Sequence, residues 1–533
     1  MSEEPNEDEE PVEEEESFDY LVEEPKLFSE SLIWELQRRY YGRHGIKAWS
    51  EGRIPFGIST SPHIAGAYAR FAFACLRDWN STLDLSEPVY IIELGAGSGR
   101  LGFNVLQALR EFFDESVLAH IPFTYVLTDL VEENVAFWES HEGLRPFVEA
   151  GRLDFAQFDA INSTELRLRR SGKQITPGSL KNPIMVFANY IFDTLPQDIF
   201  SVEEGSLFAV TATLLSTQEE PDPLDPEIIN RVEIEYDRYP VEGAAYEEPY
   251  LARILDFYRA NLGTTLFLFP HLALRCIEGF RRLSGGRMAL LTADKGEHRL
   301  EPLKGVEVPP IALHDDGFSM SINYNAVVQY FENLGSDILT TDFVHTSLNI
   351  LAFLHGLPAV TESRQAYHEE FEVNSSDDNF IGLISAERNE KASIVEILAY
   401  IRMKGYDTHA FLIVYPTLSK LLRKIPADLV PELRRIVYRV WGRYYDMGES
   451  HNLPFFLGAI LSATMAYAEA IPFYQAALRR QENHPTALFN LASSYFNIGE
   501  RDLAVETLDR LPSDAADRPE VIELRAKLAA AER

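Results

Sequence analysis

The stretch VYIIELGAGSGRLGFNVLQALREFF, residues 89–113, decides the fold class. A short apolar run ends at three closely spaced glycines, and Leu101, Val105, Leu109 and Phe112 then recur at helical spacing. The stretch therefore predicts a buried strand, a tight glycine turn and an amphipathic helix, in that order.

Further strand candidates follow this unit along the chain. They are FTYVLTDL, RLDFAQFDA, PIMVFANYIF and RMALLTAD, and we expect FSMSINY and SDILTTDF to complete the sheet. Because short apolar runs alternate with helices, the pattern predicts a Rossmann-like α/β sheet with helices on both faces. Within it, LFAVTATLL and RVEIEYDRY predict an inserted hairpin at about residues 200–240.

Composition divides the chain into four parts. Residues 1–25 are rich in glutamate and predict a disordered acidic tail, and residues 26–360 form the sheet domain. Residues 361–385 are polar and predict a linker that few contacts cross. Residues 386–533 predict helices only.

The helical region contains a repeat, which is clearest in residues 451–518. Leu457 recurs as Leu491 and Ala470 recurs as Ala504, each at an interval of 34 residues. This interval is the period of the tetratricopeptide repeat, whose stacked helix pairs form concave surfaces suited to protein partners.

Charge and composition exclude several classes of function. The formal net charge of −35 disfavours nucleic acid and favours a basic protein surface as partner. No apolar run is long enough to span a membrane, and the acidic start does not resemble a secretion signal. Cys75 and Cys276 form no CxxC pair, and the histidines show no metal-binding spacing. We therefore expect a cytoplasmic protein without a metal site, and the sequence leaves its oligomeric state open.

Glu93 precedes the glycine loop formed around Gly95, Gly97 and Gly99. Glycines let the chain turn sharply and let a ligand approach the backbone closely. A carboxylate at this place would repel a pyrophosphate but suits the positively charged amino group of S-adenosylmethionine. The alternative interpretation is an ordinary tight turn between a strand and a helix.

Two aspartates end the next two strand candidates. Asp129 is placed to accept hydrogen bonds from ribose hydroxyls, and Asp159 to accept one from the adenine amino group. The alternatives are a helix N-cap for Asp129 and a structural loop position for Asp159.

The fourth strand candidate ends in Asn189, Tyr190 and Asp193. Ligands of open parallel sheets bind outside the carboxyl ends of the strands, so these side chains would face the methyl donor. Asn189 would orient a nucleophile through its amide oxygen, and Asp193 would act as a base or hold a cationic group. Capping of the following turn is the alternative for both.

Several segments together resemble the MidA family of methyltransferases. The matching elements are Thr-Ser-Pro at 60–62, the glycine loop after Glu93, and Ala-Asn-Tyr-Ile-Phe-Asp-Thr-Leu-Pro at 188–196, within roughly residues 30–356. The resemblance implies methyl transfer from S-adenosylmethionine to a protein side chain, with arginine as the acceptor. Two positions depart from the family pattern, since Tyr190 and Asp129 stand where the family has glutamates.

Two functions are compatible with these residues. The first is a methyltransferase that receives its protein substrate on the helical repeats. The second is a scaffold or assembly protein that binds the cofactor weakly and acts through the repeats. Tyr190 in place of the family's acid favours the second, and transfer of labelled methyl groups discriminates between them.

Overall fold

The strands of this computed structural model belong to two larger and two small sheets. The structure describes residues 18–51, 57–308, 311–314, 317–342, 348–374 and 389–530. The strands are β1 (Tyr20–Leu27), β2 (Val89–Leu94), β3 (Phe123–Asp129), β4 (Leu153–Gln157), β5 (Leu166–Arg167), β6 (Gln174–Ile175), β7 (Ile184–Asn189), β8 (Asp198–Glu203), β9 (Ser206–Ser216), β10 (Val232–Pro240), β11 (Thr265–Phe269), β12 (Met288–Asp294), β13 (Ile311–His314), β14 (Gly317–Met320), β15 (Asp337–Leu339) and β16 (Asn349–His355).

A seven-stranded sheet forms the centre of the α/β part. Its strand order is β15-β16-β12-β7-β2-β3-β4. Strands β12, β7, β2, β3 and β4 run parallel to one another. Strand β16 pairs antiparallel with both β12 and β15. The carboxyl ends of β2, β3, β4, β7 and β12 therefore meet at one edge, which is the edge where open parallel sheets bind ligands.

Helices cover both faces of this sheet, which confirms the predicted Rossmann-like α/β fold. The helices of this part are α1 (Leu32–His44), α2 (Lys47–Ser50), α3 (Gly57–Thr60), α4 (Pro62–Trp79), α5 (Arg100–Phe113), α6 (Glu132–Ser140), α7 (Arg145–Glu149), α8 (Pro249–Asn261), α9 (His271–Leu283), α10 (Tyr324–Asn333) and α11 (Thr361–Tyr367). Helices α4, α5, α6 and α11 pack on one face, and α8, α9 and α10 pack on the other.

The apolar strands separate two cores by alternation of their side chains. Along β2, Ile91 faces the core of α4 and α5, and Ile92 faces the core of α8 and α9. Since both faces are buried, all six residues of β2 are buried. This explains why the strand has a continuous apolar run rather than alternating polarity.

A second, antiparallel sheet is built from β1, β8, β9, β10 and β11. Strands β9 and β10 pair antiparallel over Val232–Pro240, within the range where the sequence predicts a hairpin.

The predicted disordered tail ends earlier than residue 25, because β1 starts at Tyr20 and pairs with β9. The Glu23 carboxylate explains this early start, since it accepts hydrogen bonds from the Ser31 hydroxyl and the Leu32 N–H. Residues 1–17 of the tail lie outside the described part.

The end of the central sheet differs from the prediction. FSMSINY does not join this sheet, because β14 pairs with β13 instead, and Phe318 and Met320 pack in the core of the second sheet. The place beside β12 is taken by β16, whose sequence NILAFLH the sequence analysis does not identify. The predicted SDILTTDF contributes the short edge strand β15.

The chain after the sheets is helical. Its helices are α12 (Ile394–Met403), α13 (Thr408–Leu421), α14 (Val430–Gly442), α15 (Leu453–Ala463), α16 (Tyr467–Arg480), α17 (Pro485–Ile498), α18 (Arg501–Asp509), α19 (Ser513–Ala516) and α20 (Pro519–Ala530). None of the helices in the described ranges is long and apolar enough to cross a membrane.

The predicted linker at 361–385 is partly helical. Its first residues form α11 and continue as one π-helical stretch, His368–Val373, because Tyr367 and Phe371 are buried in the sheet core. Residues 375–388 lie outside the described part. The expectation that few contacts cross here is wrong, since Tyr445 and Met447 of the helical region are also part of the sheet core.

The repeat helices pack as consecutive antiparallel neighbours, with small residues at the closest contacts. A Cβ on Gly458 would lie 2.9 Å from the Tyr474 ring, so only glycine permits the approach of α15 to α16. Ala492 lies 34 residues after Gly458 and is fully buried against Leu508. The repeat interval in the sequence therefore corresponds to a repeated close contact between helices.

We predict that Gly458→Val lowers the free energy of unfolding by about 1–3 kcal/mol, because the new side chain overpacks the Tyr474 contact. The measurement is the urea midpoint of the full chain by circular dichroism. Gly442→Val is the matched control, since a Cβ there meets nothing within 4 Å. An equal midpoint for the two variants would contradict the packing argument.

Candidate functional site

The glycine loop between β2 and α5 requires its glycines for two reasons. Gly95, Gly97 and Gly99 have φ angles of 64°, 53° and 77°, in the left-handed region that other residues rarely adopt. There is also no space for side chains. A Cβ on Gly95 would lie 2.7 Å from Ile191, and one on Gly97 would lie 2.6 Å from Trp49. A Cβ on Gly99 would lie 2.8 Å from Trp138.

The loop is fixed to the end of β3. The Ala96 N–H donates to the Thr128 carbonyl at 2.8 Å, and the Gly97 N–H donates to the Asp129 carboxylate at 2.8 Å. On the other side, the Trp138 indole N–H donates to the Gly97 carbonyl at 3.1 Å. These three backbone groups of the loop are thus held in one orientation by hydrogen bonds within the protein.

Glu93 is the last residue but one of β2, and it is buried directly before the glycine loop. Its side chain is 4% exposed and accepts a hydrogen bond from the Tyr125 hydroxyl at 2.6 Å. Burial raises the pKa of Glu93 to about 8, and the nearby Asp129 charge adds to the shift, although the Tyr125 hydrogen bond opposes it. The carboxyl is therefore an unpaired acid that a cationic group would stabilise in its charged form.

Asp129 lies at the rim of the loop and is only partly buried. In addition to Gly97, its carboxylate accepts from the Val131 N–H at 2.9 Å. Desolvation raises the pKa of Asp129, opposed by the hydrogen bonds from Val131 and Gly97. The Asn134 side chain and the Leu130 backbone also lower the pKa of Asp129 by hydrogen bonding, so this carboxylate is tied to its own loop as well as to the glycine turn.

Asp159 follows β4 and closes its own loop. Its carboxylate accepts from the Ile161 N–H at 2.9 Å and from the Asn162 amide at 2.9 Å, and it pairs with Arg38 at 3.6 Å. Partial burial would raise the pKa of Asp159, but these partners lower it below the ordinary value. The structural loop role that the sequence leaves open for Asp159 is thus present in the structure.

Asn189 ends β7 beside the glycine loop, and Tyr190 follows directly after it. The Asn189 amide oxygen accepts from the Tyr68 hydroxyl, and its amide N–H donates to the Ser59 carbonyl at 3.4 Å. The oxygen that would orient a nucleophile is therefore already engaged by α4. Tyr190 has a φ of 49°, a conformation that costs energy in a non-glycine residue and occurs often at functional sites.

Asp193 has a partner that the sequence analysis missed. Its N–H donates to the carboxylate of Asp294, the last residue of β12, at 3.2 Å, and both side chains are buried. Burial raises the pKa of both carboxyls; the Asp193 charge raises that of Asp294 further, whereas Lys295 lowers that of Asp193. A signal for Asp294 existed, since it is an acid at the end of the predicted strand RMALLTAD.

The site accordingly contains four carboxyl groups at one edge of the sheet: Glu93, Asp129, Asp193 and Asp294. Such an arrangement favours a ligand with positive charge and hydroxyl groups. In the part of the chain that the structure describes, no group of three or more His, Cys, Asp or Glu side chains is placed to hold a metal ion.

Comparison with known proteins identifies the repeats and finds solved structures of low similarity. Residues 465–528 match the tetratricopeptide repeat family, which confirms the predicted repeat type. No curated protein matches the sequence. The chain is similar to a COG1565 superfamily protein from Burkholderia thailandensis at 13% identity and a TM-score of 0.40, covering 64% of this chain and 90% of that one.

Two further solved structures from Burkholderia thailandensis are similar to the chain. One is a COG1565 superfamily member described as a likely methyl transferase and bound to S-adenosyl-homocysteine, at 14% identity and a TM-score of 0.39, covering 64% of this chain and 90% of that one. The other is an O-methyltransferase family protein at 11% identity and a TM-score of 0.23, covering 61% of this chain and 71% of that one.

Proposed function

We propose that this protein is an S-adenosylmethionine-dependent methyltransferase. One observation carries the proposal: a left-handed glycine loop follows the central strand β2, with Glu93 and Asp129 at the strand ends beside it. The sheet order supports it as well, because a last strand inserted antiparallel beside the fifth is typical of class I methyltransferases. The loop lies where open sheets bind ligands.

The residues around the loop fit this cofactor. The Asp129 carboxylate would accept from the ribose hydroxyls, and Glu93 would balance the charge of the amino group. Asp159 would serve the adenine amino group only by sharing its carboxylate with Asn162. Trp49 and Ile191, both partly buried, would supply apolar walls on the open side of the loop.

When bound, S-adenosylmethionine supplies a methyl group that a nucleophile accepts. The protein's own contribution is to hold the acceptor in line and to exclude water, which are effects of proximity and orientation. Asn189 lies at the end of β7 and is oriented by Tyr68. Asp193 and Asp294, which are joined by a hydrogen bond, would accept the proton that a nitrogen or oxygen acceptor loses.

We further propose that the acceptor is a protein side chain, with arginine suggested by the family resemblance alone. Three features support a protein substrate: the four carboxyl groups, the net charge of −35 and the repeat region. Cys75 and Cys276 are free and buried, which fits a reducing compartment such as the cytoplasm.

A scaffold that binds the cofactor weakly is the second candidate. It is favoured by Tyr190, which replaces the acid of the family pattern, and by the Asn189 amide oxygen, which is engaged by Tyr68. The two candidates differ in turnover and not in fold, so a transfer assay separates them.

We predict that the full chain binds S-adenosyl-homocysteine and that Gly97→Val abolishes binding. The valine would collide with Trp49 and disfavour the left-handed backbone. A ligand at about 100 times its dissociation constant stabilises the native state by about 2.7 kcal/mol, which a thermal shift detects. Gly172→Val, also left-handed but with nothing within 4 Å, is the control. The cofactor site is wrong if Gly97→Val binds as the wild type does.

We predict that Glu93→Gln stabilises the unliganded protein at alkaline pH and weakens ligand binding. Because the pKa of Glu93 is raised in the folded protein, ionisation of this carboxyl lowers the free energy of unfolding. The loss grows as pH rises from about 4.5 to about 8. The gain should be below about 1 kcal/mol at pH 5 and on the order of 4 kcal/mol at pH 8.5. Urea unfolding at both values measures it, and an equal difference at the two pH values would refute the assignment.

We predict that Asp193→Asn keeps affinity for S-adenosyl-homocysteine within about threefold but loses methyl transfer, because the amide cannot accept the proton. Transfer of labelled methyl groups is measured into a lysate of cells lacking the protein. Asp154→Asn is the control, a buried aspartate on β4 that accepts from the N–H groups of Phe155 and Arg170. Loss of cofactor affinity in Asp193→Asn would contradict the role, and an inactive wild type would favour the scaffold.

A further inference from the structure

The segment that connects α14 to α15, residues 443–452, reaches the glycine loop. The Tyr445 hydroxyl donates to the Ser98 carbonyl at 2.8 Å, and its ring stacks on His141 at 4.0 Å. A Cβ on Gly99 would lie 2.9 Å from the Tyr445 oxygen. Tyr445 is 1% exposed, so it is a wall of the loop and not a surface contact.

His141 fixes the position of this segment by its own hydrogen bonds. Its Nδ1 accepts from the Gly143 N–H at 3.1 Å, and its Nε2 bonds the Asp446 carbonyl at 3.1 Å. Both bonds are satisfied by one neutral tautomer, which carries its proton on Nε2. Burial lowers the pKa of His141 and favours this neutral form.

A residue of the repeat helix α16 anchors the same segment from the other side. The Arg480 guanidinium donates to the Tyr444 hydroxyl at 2.7 Å and to the Glu449 carbonyl at 2.7 Å, and it forms an ion pair with Asp446. These three partners flank Tyr445 in sequence. The position of Tyr445 against the glycine loop is therefore set in part by a residue of the repeats.

A second contact joins the helical region to the first residue of α5. The Arg100 guanidinium pairs with the Asp407 carboxylate at 2.7 Å and donates to the Thr60 hydroxyl at 3.0 Å. Both charged side chains are buried, at 3% and 7% exposure. Removing the helical region would leave Arg100 buried without its carboxylate, which is a costly arrangement.

We propose that the helical region completes the cofactor site, with Tyr445 as a positioning residue of the glycine loop and Arg480 as its anchor on the repeats. The proposal rests on the proposed function. A partner that binds the repeats and displaces Arg480 would therefore change the protein's affinity for the cofactor. Because binding linkage is reciprocal, the cofactor would change the protein's affinity for that partner by the same factor. The helical region is then a part of the methyl-donor site as well as a platform for substrates.

The test compares single substitutions in the full chain. Isothermal titration with S-adenosyl-homocysteine should show about three- to tenfold weaker binding for Tyr445→Phe, as expected for one lost hydrogen bond. Tyr474→Phe is the matched control, because it loses a similar bond to Ser462 within the repeats, and its affinity should stay within about twofold of wild type. Arg480→Ala should weaken binding, and the exposed Arg479→Ala should not.

A double variant and hydrogen exchange test whether Tyr445 and Arg480 act through the same segment on the glycine loop. Tyr445→Phe with Arg480→Ala should weaken binding by less than the product of the single effects, because both act on one segment. Without ligand, amide exchange at Gly97 and Gly99 should be faster in Tyr445→Phe than in Tyr474→Phe. Equal exchange and equal affinity in these two variants would overturn the proposal. If the wild type binds no S-adenosyl-homocysteine, the proposed function fails, and the exchange comparison still decides the coupling.

Discussion

The hydrogen bond from the Gly97 N–H to the Asp129 carboxylate is the interaction on which the site depends. It joins the turn after β2 to the end of β3, and it forms only because Gly97 adopts a left-handed backbone. Trp138 then fits against the turn and bonds the Gly97 carbonyl. The loop, the start of α5 and the ends of the two central strands thereby become one rigid edge, and every other site residue is placed relative to it.

Charge is the second constraint at this edge. An acidic protein that places Glu93, Asp129, Asp193 and Asp294 together accepts a cost in stability, because burial raises the pKa of each carboxyl. A structural explanation for the buried Glu93 would require a cationic partner, yet its hydrogen-bond partner is the Tyr125 hydroxyl, whereas Lys295 lowers the pKa of Asp193. In the proposed function, the positive charge of a bound ligand and substrate would offset this cost, and such a loss of stability is common at functional sites.

The elements that depend on local periodicity and glycine placement could be predicted from the sequence. The strand, glycine turn and helix of residues 89–113, the parallel sheet and the 34-residue repeat all follow from periodicity and glycine placement. Strand β16 and the pairing of Asp193 with Asp294 depend on which segments meet in space, and periodicity contains no such information. Strand β1 is also not predicted from the sequence, because the acidic composition around Glu23 indicates a disordered tail. In the structure the Glu23 carboxylate instead accepts a hydrogen bond from the Ser31 hydroxyl.

The role of Tyr445 was the hardest feature to predict, and the reason concerns what defines a domain. Composition changes near residue 361, so the sequence suggested two separate units there. Burial divides the molecule differently, because Tyr445 and Met447 lie in the core of the sheet and the Arg100–Asp407 pair is enclosed between the two parts. Neither part can then lose the other without exposing apolar surface and an unpaired charge. The helical region and the glycine loop are consequently parts of one packed structure.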